Sequence, residues 1–447
     1  MVLTSPFPSV PLCDEALHDK LLRAVWTHAA ANPTRAAFVH GNIPDKSITY
    51  GEMYIKVHSV AAFLKTRGFR QNEVVSVVMR NSMEPEFDTA KVSSDSLALL
   101  PYSSGTTGAR KGVMFSHHNY GTMIDILKDH LEREVMPKLS VVDFDWYKET
   151  IVLNQAMYHL FRFLLLTHCI FTGSTGVIME KFEPVTYLKA IARHRPRLLF
   201  VTPPIFIFLA KDPIVKEYDI SSVEMVMSSA APLGKDICDE FLKVHKNVRY
   251  LTQAFGMTEC GLAFLPILKK RDEYSGIGFL ASNMEQKECF VTGKELETGK
   301  NGEICVRGPT VMTGYLNRPE ATAEAMDEEG WLRTVDIGYC VRDGRTFIVD
   351  RIKELIKVNG LQVPPAELED VLLSHPLIAD AAVIGLPNFE RGELVRAYVV
   401  RADDSLTENE VILLVAQKLA EYKHITGGVR FVKHIPKSSA GKILRKM

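Results

Sequence analysis

The sequence predicts an α/β fold: a large N-terminal domain of doubly wound sheets with a small antiparallel subdomain, followed by a small α+β C-terminal domain. Three observations predict it. Up to about residue 350, apolar strands alternate with amphipathic helices, the pattern of parallel α/β layers. Over 286–350 the strands shorten and Gly-rich turns separate them, as in an antiparallel unit. The chain has 447 residues, more than one ordinary core holds, and the mixed α/β stretch after Lys353 is long enough for a domain of its own. The boundaries expected are 1–351 and 352–447.

The elements follow in order. Residues 14–31 read as a helix opened by an acidic first turn, and 50–67 as another, stopped by Gly68. A strand is expected at 74–79, then a polar stretch at 81–96 with Pro85 and no helical period. Apolar residues at 97–101 and 112–115 read as strands around a tight loop. Buried strands are expected at 197–202, 223–228 and 249–254, with a helix at 235–245 between the last two. Gly302–Arg307 and 346–350 read as strands of the antiparallel unit. The C-terminal domain has expected helices near 366–374 and 408–423, and strands near 381–386, 395–401 and 429–432.

Composition bounds the chemistry. Apolar content of 46% and charged content of 24% are those of a globular protein. A formal net charge of −1 gives no reason to expect nucleic acid or an anionic membrane as partner. The seven cysteines are scattered and never in Cys-x-x-Cys spacing, so a reducing compartment is expected rather than a disulfide framework or zinc site. No signal-peptide pattern opens the chain, and no apolar run is long enough to span a bilayer. The end Arg-Lys-Met is not the Ser-Lys-Leu peroxisomal address.

The chemistry concentrates in a few stretches. Ser103, Ser104, Gly105, Thr106, Thr107 and Gly108 run unbroken, with Lys111 three residues on. Small residues let consecutive backbone N–H groups turn toward an anion, hydroxyls add donors and the lysine adds charge. The same composition also suits a plain Ser/Gly turn. The spacing is not Gly-x-x-x-x-Gly-Lys-Ser/Thr, and the Gly-x-Gly-x-x-Ala run at 276–281 follows charge and opens no helix, so neither common nucleotide fingerprint applies. Gln253-Ala-Phe-Gly-Met-Thr258-Glu259 ends an apolar strand, where α/β folds present side chains to ligands. Its carboxylate suits Mg²⁺; a solvated strand–turn is the alternative. Asp336 and Asp350-Arg351 lie near two strand ends, fitting either a clamp on ribose hydroxyls or a surface ion pair. Pro436-Lys-Ser-Ser-Ala-Gly-Lys442 places a lysine on a Ser/Gly loop.

These pieces, with the run from Asp350 to Gln362, occur in the order and approximate spacing of the adenylate-forming superfamily. From about Tyr50 to Arg445 the chain resembles acyl-CoA synthetases of the coumarate–CoA ligase and firefly luciferase branch. The resemblance implies that Ser103, Ser104, Gly105, Thr106, Thr107 and Lys111 cradle the phosphates of ATP. It implies AMP contacts from Gln253 and Thr258, Mg²⁺ at Glu259, and the ribose between Asp336 and Arg351. His159 matches the acyl-site histidine, and Ala230 an acyl-adenylate contact. The implied reaction is carboxylate plus ATP to acyl-AMP and pyrophosphate, then attack by the thiol of coenzyme A. The C-terminal domain is then mobile about a hinge at Lys353, exchanging the Lys442 loop for a face carrying Lys357, Gly360 and Gln362. The implied partners are a small carboxylic acid, ATP and CoA, in the cytoplasm or the peroxisome.

The chain also departs from the family. Met83-Glu-Pro-Glu-Phe-Asp-Thr bridges a gap where the family has several further strands and helices, so an internal deletion near 80–95 is expected to leave apolar faces exposed. Arg110 stands in place of Pro, Arg162 and Val335 in place of Gly, and Asn359 in place of a basic residue. Two alternatives follow: a catalytically impaired relative that binds adenylate or acyl ligand, and an adenylating enzyme that uses a carrier-protein thiol.

Overall fold

Alternate residues of each central strand enter two different hydrophobic cores. Ile151 and Leu153, Leu198 and Phe200, and Met225 and Met227 pack into one core; Val152, Leu199, Val201 and Val226 pack into the other. A strand buried on both faces needs a near-continuous apolar run, and helices must cover each side. A computed structural model of the chain describes residues 2–43, 46–67, 93–103, 110–139, 144–154, 156–229, 233–269, 274–289, 299–437 and 443–445. In it, helices His117–His130 and Leu160–Thr172 cover the first face, and Pro184–His194, Pro203–Lys211 and Lys235–Val244 the second.

Leu198–Val201, Met225–Ser228 and Tyr250–Gln253 form a parallel three-stranded sheet. Thr150–Leu153, Thr175–Ile178 and Ala36–His40 are parallel in a four-stranded sheet completed by antiparallel Ser47–Thr49. Within the second core the rings of Phe206 and Phe241 lie 4.6 Å apart. Burying an aromatic side chain of this size contributes about 1.5–3 kcal/mol. The helix Leu160–Thr172 ends at Gly173, whose φ of 77° suits glycine and where a Cβ would meet His28 at 2.9 Å.

The antiparallel unit is a five-stranded sheet, in order Leu3–Thr4, Glu285–Cys289, Gly302–Arg307, Leu332–Cys340 and Thr346–Arg351. The C-terminal residues build a separate core that includes Ile356, Val363, Leu368, Val383, Val395, Ala397 and Val411. Their sheet pairs Ile378–Asn388 with Gly392–Arg401, adds Val429–Phe431 in parallel, and carries the hairpin Ile356–Val358 and Leu361–Val363. Helices Pro365–Leu373 and Glu408–Lys418 cover it.

Several boundaries differ from those expected. The first helix starts at Leu17 rather than 14, because the segment before it is tied elsewhere: Cys13 N donates to Thr122 Oγ1 and Leu17 N to His117 Nδ1. The last helix stops at Lys418; Leu419 is extended, and Lys423 donates to both carboxylate oxygens of Glu367. The hairpin at 356–363 is an element that the sequence pattern does not predict. The strand expected at 74–79 and the gap expected near 80–95 lie outside the described residues, apart from the last few before Leu97. Trp26, Ile55 and Phe63 are exposed on the two N-terminal helices.

Candidate functional site

The carboxyl ends of the parallel strands and the antiparallel unit converge on one region. Leu97–Leu99 pairs with Val113–Ser116, and Ser103 N donates to Lys111 O at 2.9 Å, closing the mouth of the Ser/Thr/Gly loop. Ser104, Gly105, Thr106 and Thr107 lie outside the described residues, as do Ala230 and Lys442. Lys111 Nζ sits 4.5 Å over the ring of Tyr315, which is placed by pairing with Val113. The Tyr315 hydroxyl in turn donates to Glu259 Oε1 at 2.8 Å. Burial, then the Glu259 charge, pushes the Tyr315 phenol up, so it stays a donor.

Thr258 and Glu259 occupy the turn between Phe255–Met257 and Gly261–Leu265. A Cβ on Gly256 would meet Gly261 O at 2.2 Å, so this close crossing requires glycine. Glu259 is buried. The Gln253 amide is engaged locally: Oε1 accepts from Leu233 N at 2.8 Å and Nε2 donates to Tyr274 O at 3.1 Å.

Asp336 and Arg351 are paired by strand register, with Arg351 Nε 3.1 Å from Asp336 Oδ1. The residue before the aspartate, Val335, has φ of 64°, a left-handed conformation that a β-branched side chain rarely adopts. Buried Glu303 braces it, accepting from Val335 N at 3.2 Å and from Arg333 Nη2 at 2.7 Å. Both Glu259 and Asp336 act on the buried Cys260 thiol, which burial chiefly pushes up to about 12.

A cavity of about 830 Å³ is lined by Gln253, Phe255, Asp336, Arg351 and Gln362, and on its other side by Lys437, Ile443 and Arg445. Residues flanking the Lys442 loop thus face the Asp336–Arg351 pair. Lys353, Lys357 and Gly360 are exposed and do not line this cavity. Gly360 has φ of 79° with open space around it, and Asn359 beside it has φ of 50°.

His159 precedes helix Leu160–Thr172 as its N-cap residue, off this cavity. Burial, then Arg162, holds its imidazole below the ordinary value. Arg162 is 1% exposed; Nη2 donates to Met179 O at 3.3 Å, while Nε and Nη1 have no partner among the described residues. Burial lowers its guanidinium to about 9.

Sequence reasoning missed Tyr315 and Glu303. Nothing in the local pattern distinguishes Tyr315. Glu303 left a signal, an acid directly before the apolar run Ile304-Cys305-Val306 of the strand Gly302–Arg307.

Comparison with known proteins identifies a family. The AMP-binding enzyme family matches residues 84–316, and the AMP-binding enzyme C-terminal domain matches 367–442. A 4-coumarate–CoA ligase 2 of Nicotiana tabacum is 41% identical over 378 residues, covering 83% of this chain and 68% of that protein. A probable 4-coumarate–CoA ligase 1 of Dictyostelium discoideum is 40% identical over 369 residues, covering 81% and 63%. The chain thus spans under two thirds of the Dictyostelium relative's length. Among solved structures, ATP-bound MatB from Rhodopseudomonas palustris shares the fold with a TM-score of 0.80 at 23% identity, over 95% of this chain and 97% of that one.

Proposed function

Because this chain belongs to the AMP-binding enzyme family, we propose that it activates a carboxylic acid with ATP as an acyl-adenylate and passes the acyl group to the thiol of CoA. The observation that carries the reading is the Asp336–Arg351 pair, on a cavity whose opposite wall flanks the Lys442 loop. Asp336 and Arg351 hold the ribose; Gln253 and Thr258 border the AMP. Ser103 and Lys111 open and close the phosphate loop that includes Ser104, Gly105, Thr106 and Thr107. The substrate carboxylate attacks the α-phosphorus and pyrophosphate leaves, and Lys111 and Lys442 offset the charge that grows on the phosphoryl oxygens. His159 and Ala230 border the acyl group.

The buried carboxylate of Glu259 is the hard oxygen donor that Mg²⁺ takes, so the site fits that ion. When bound it supplies charge neutralisation at phosphate oxygens. Tyr315 keeps Glu259 and Lys111 in fixed relation. For the second step the C-terminal unit turns about Lys353, bringing Lys357 and Gly360 toward the adenylate, while Gln362 already lines the cavity; the exposed Gly360 turn leaves room for a passing thiol. The cytoplasm or the peroxisome is the place for this activity; among the described residues no helix is long and apolar enough to cross a membrane.

A second reading, a relative that binds adenylate or acyl ligand without turnover, is favoured by the buried Arg162, whose charge acts on His159. Pyrophosphate release with a panel of carboxylates, with and without CoA, separates them. Acid-dependent release with thioester supports activation. Release without thioester points to a carrier-protein thiol, and no release with any acid supports binding alone.

A further inference from the structure

Lys211 ends helix Pro203–Lys211, and its ammonium crosses to the C-terminal unit. Nζ donates to Leu373 O at 2.9 Å and to Ile378 O at 3.3 Å. Leu373 is the last residue of helix Pro365–Leu373, so its carbonyl is one of those a helix leaves unsatisfied, at the negative end of the helix dipole. Ile378 opens the strand Ile378–Asn388. One cation therefore caps a helix and anchors a strand of a unit whose core is separate from its own.

Two independent contacts lie on the same face. A Cβ built on Gly234 would fall 1.1 Å from Asp370 Oδ1, so the Asp370 carboxylate of helix Pro365–Leu373 closes directly on the residue before helix Lys235–Val244. Lys418 Nζ joins Asp236 Oδ2 at 3.0 Å to Ser374 Oγ at 2.9 Å. These contacts fix the orientation in which Lys437, Ile443 and Arg445 face Asp336 and Arg351 across the cavity.

We propose that Lys211 is a positioning residue that holds the C-terminal unit in the orientation serving carboxylate activation, and that its bonds to Leu373 and Ile378 break when the unit turns for thioester formation. The proposal rests on the two-step function given above. A bond to a fixed pair of carbonyls stabilises one orientation alone, and so shifts the balance between the two.

The test uses the full chain and the variants Lys211→Met and Lys211→Arg. Lys211→Met should slow acid-dependent pyrophosphate release about tenfold, the effect of one charged hydrogen bond. Thioester formation from supplied acyl-adenylate and CoA should be unchanged or faster. Lys211→Arg should restore release. Hydrogen exchange in 365–378 should quicken in Lys211→Met while 225–228 stays protected. Equal slowing of both half-reactions, or unchanged exchange in 365–378, would overturn the proposal. If the unaltered chain releases no pyrophosphate with any acid, the functional reading fails, and hydrogen exchange still decides whether Lys211 holds the unit.

Discussion

Asp336 and Arg351 face each other across two antiparallel strands, Arg351 Nε lying 3.1 Å from Asp336 Oδ1. The aspartate is 3% exposed, and the pair borders the cavity between the antiparallel unit and the C-terminal residues. If it receives the ribose, Asp336→Ala should weaken ATP binding about tenfold to a hundredfold, the range for losing hydrogen bonds to a charged group. Calorimetric titration with ATP checks this, and unaltered affinity would remove Asp336 from the nucleotide site.

Val335 sits at φ of 64° immediately before that carboxylate. A non-glycine residue in such a conformation stores about 1–3 kcal/mol, and glycine's extra unfolded freedom offsets about 0.5–1 kcal/mol. Val335→Gly should therefore stabilise the chain by about 1 kcal/mol in urea unfolding. A lower midpoint would mean that the valine side chain contributes more in packing than its backbone costs.

Arg162 is buried with two guanidinium nitrogens unpartnered among the described residues. Replacing a poorly compensated buried charge by an apolar side chain of similar volume is commonly neutral or stabilising by about 1–4 kcal/mol. Arg162→Met should raise the thermal midpoint. A marked fall would show that the charge has a partner that the bonding of Nη2 to Met179 O does not reveal.

Two buried histidines should cost the fold stability from about pH 6.5 downward. Burial holds His130 and His168 down to about 3 from an ordinary 6.5. The unfolded chain then binds protons that the folded one does not, so their contribution is complete above pH 6.5 and is lost as pH falls toward 3. Glu369 and Asp370, which burial pushes up to about 7 and about 6, act the opposite way in this range, so the urea midpoint of the unaltered chain should fall between about pH 7 and pH 4 relative to that of His168→Phe. Equal slopes in the two proteins would exclude His168 as a source.

The strands Leu198–Val201, Met225–Ser228 and Tyr250–Gln253 are legible in the sequence because both faces are buried, which leaves an apolar run. Gly302–Arg307 is legible to the residue. The hairpin Ile356–Val358 and Leu361–Val363 is not: two strands of three residues are too short to show a period. Asp336 and Arg351 are legible as residue types, but their pairing depends on strand register. The link from Lys111 through Tyr315 to Glu259 joins three distant segments, and nothing in the sequence sets Lys211 apart from other lysines. Such contacts are made by tertiary packing, which no local pattern encodes.

Every role proposed above depends on formation of an acyl-adenylate. Carboxylate-dependent exchange of labelled pyrophosphate into ATP, measured without CoA, reads that step alone. Exchange should appear with a suitable acid and fall about 10²–10³-fold in Lys442→Ala, the size of losing one transition-state donor. No exchange with any acid, in a chain that melts cooperatively and binds ATP, would contradict the account.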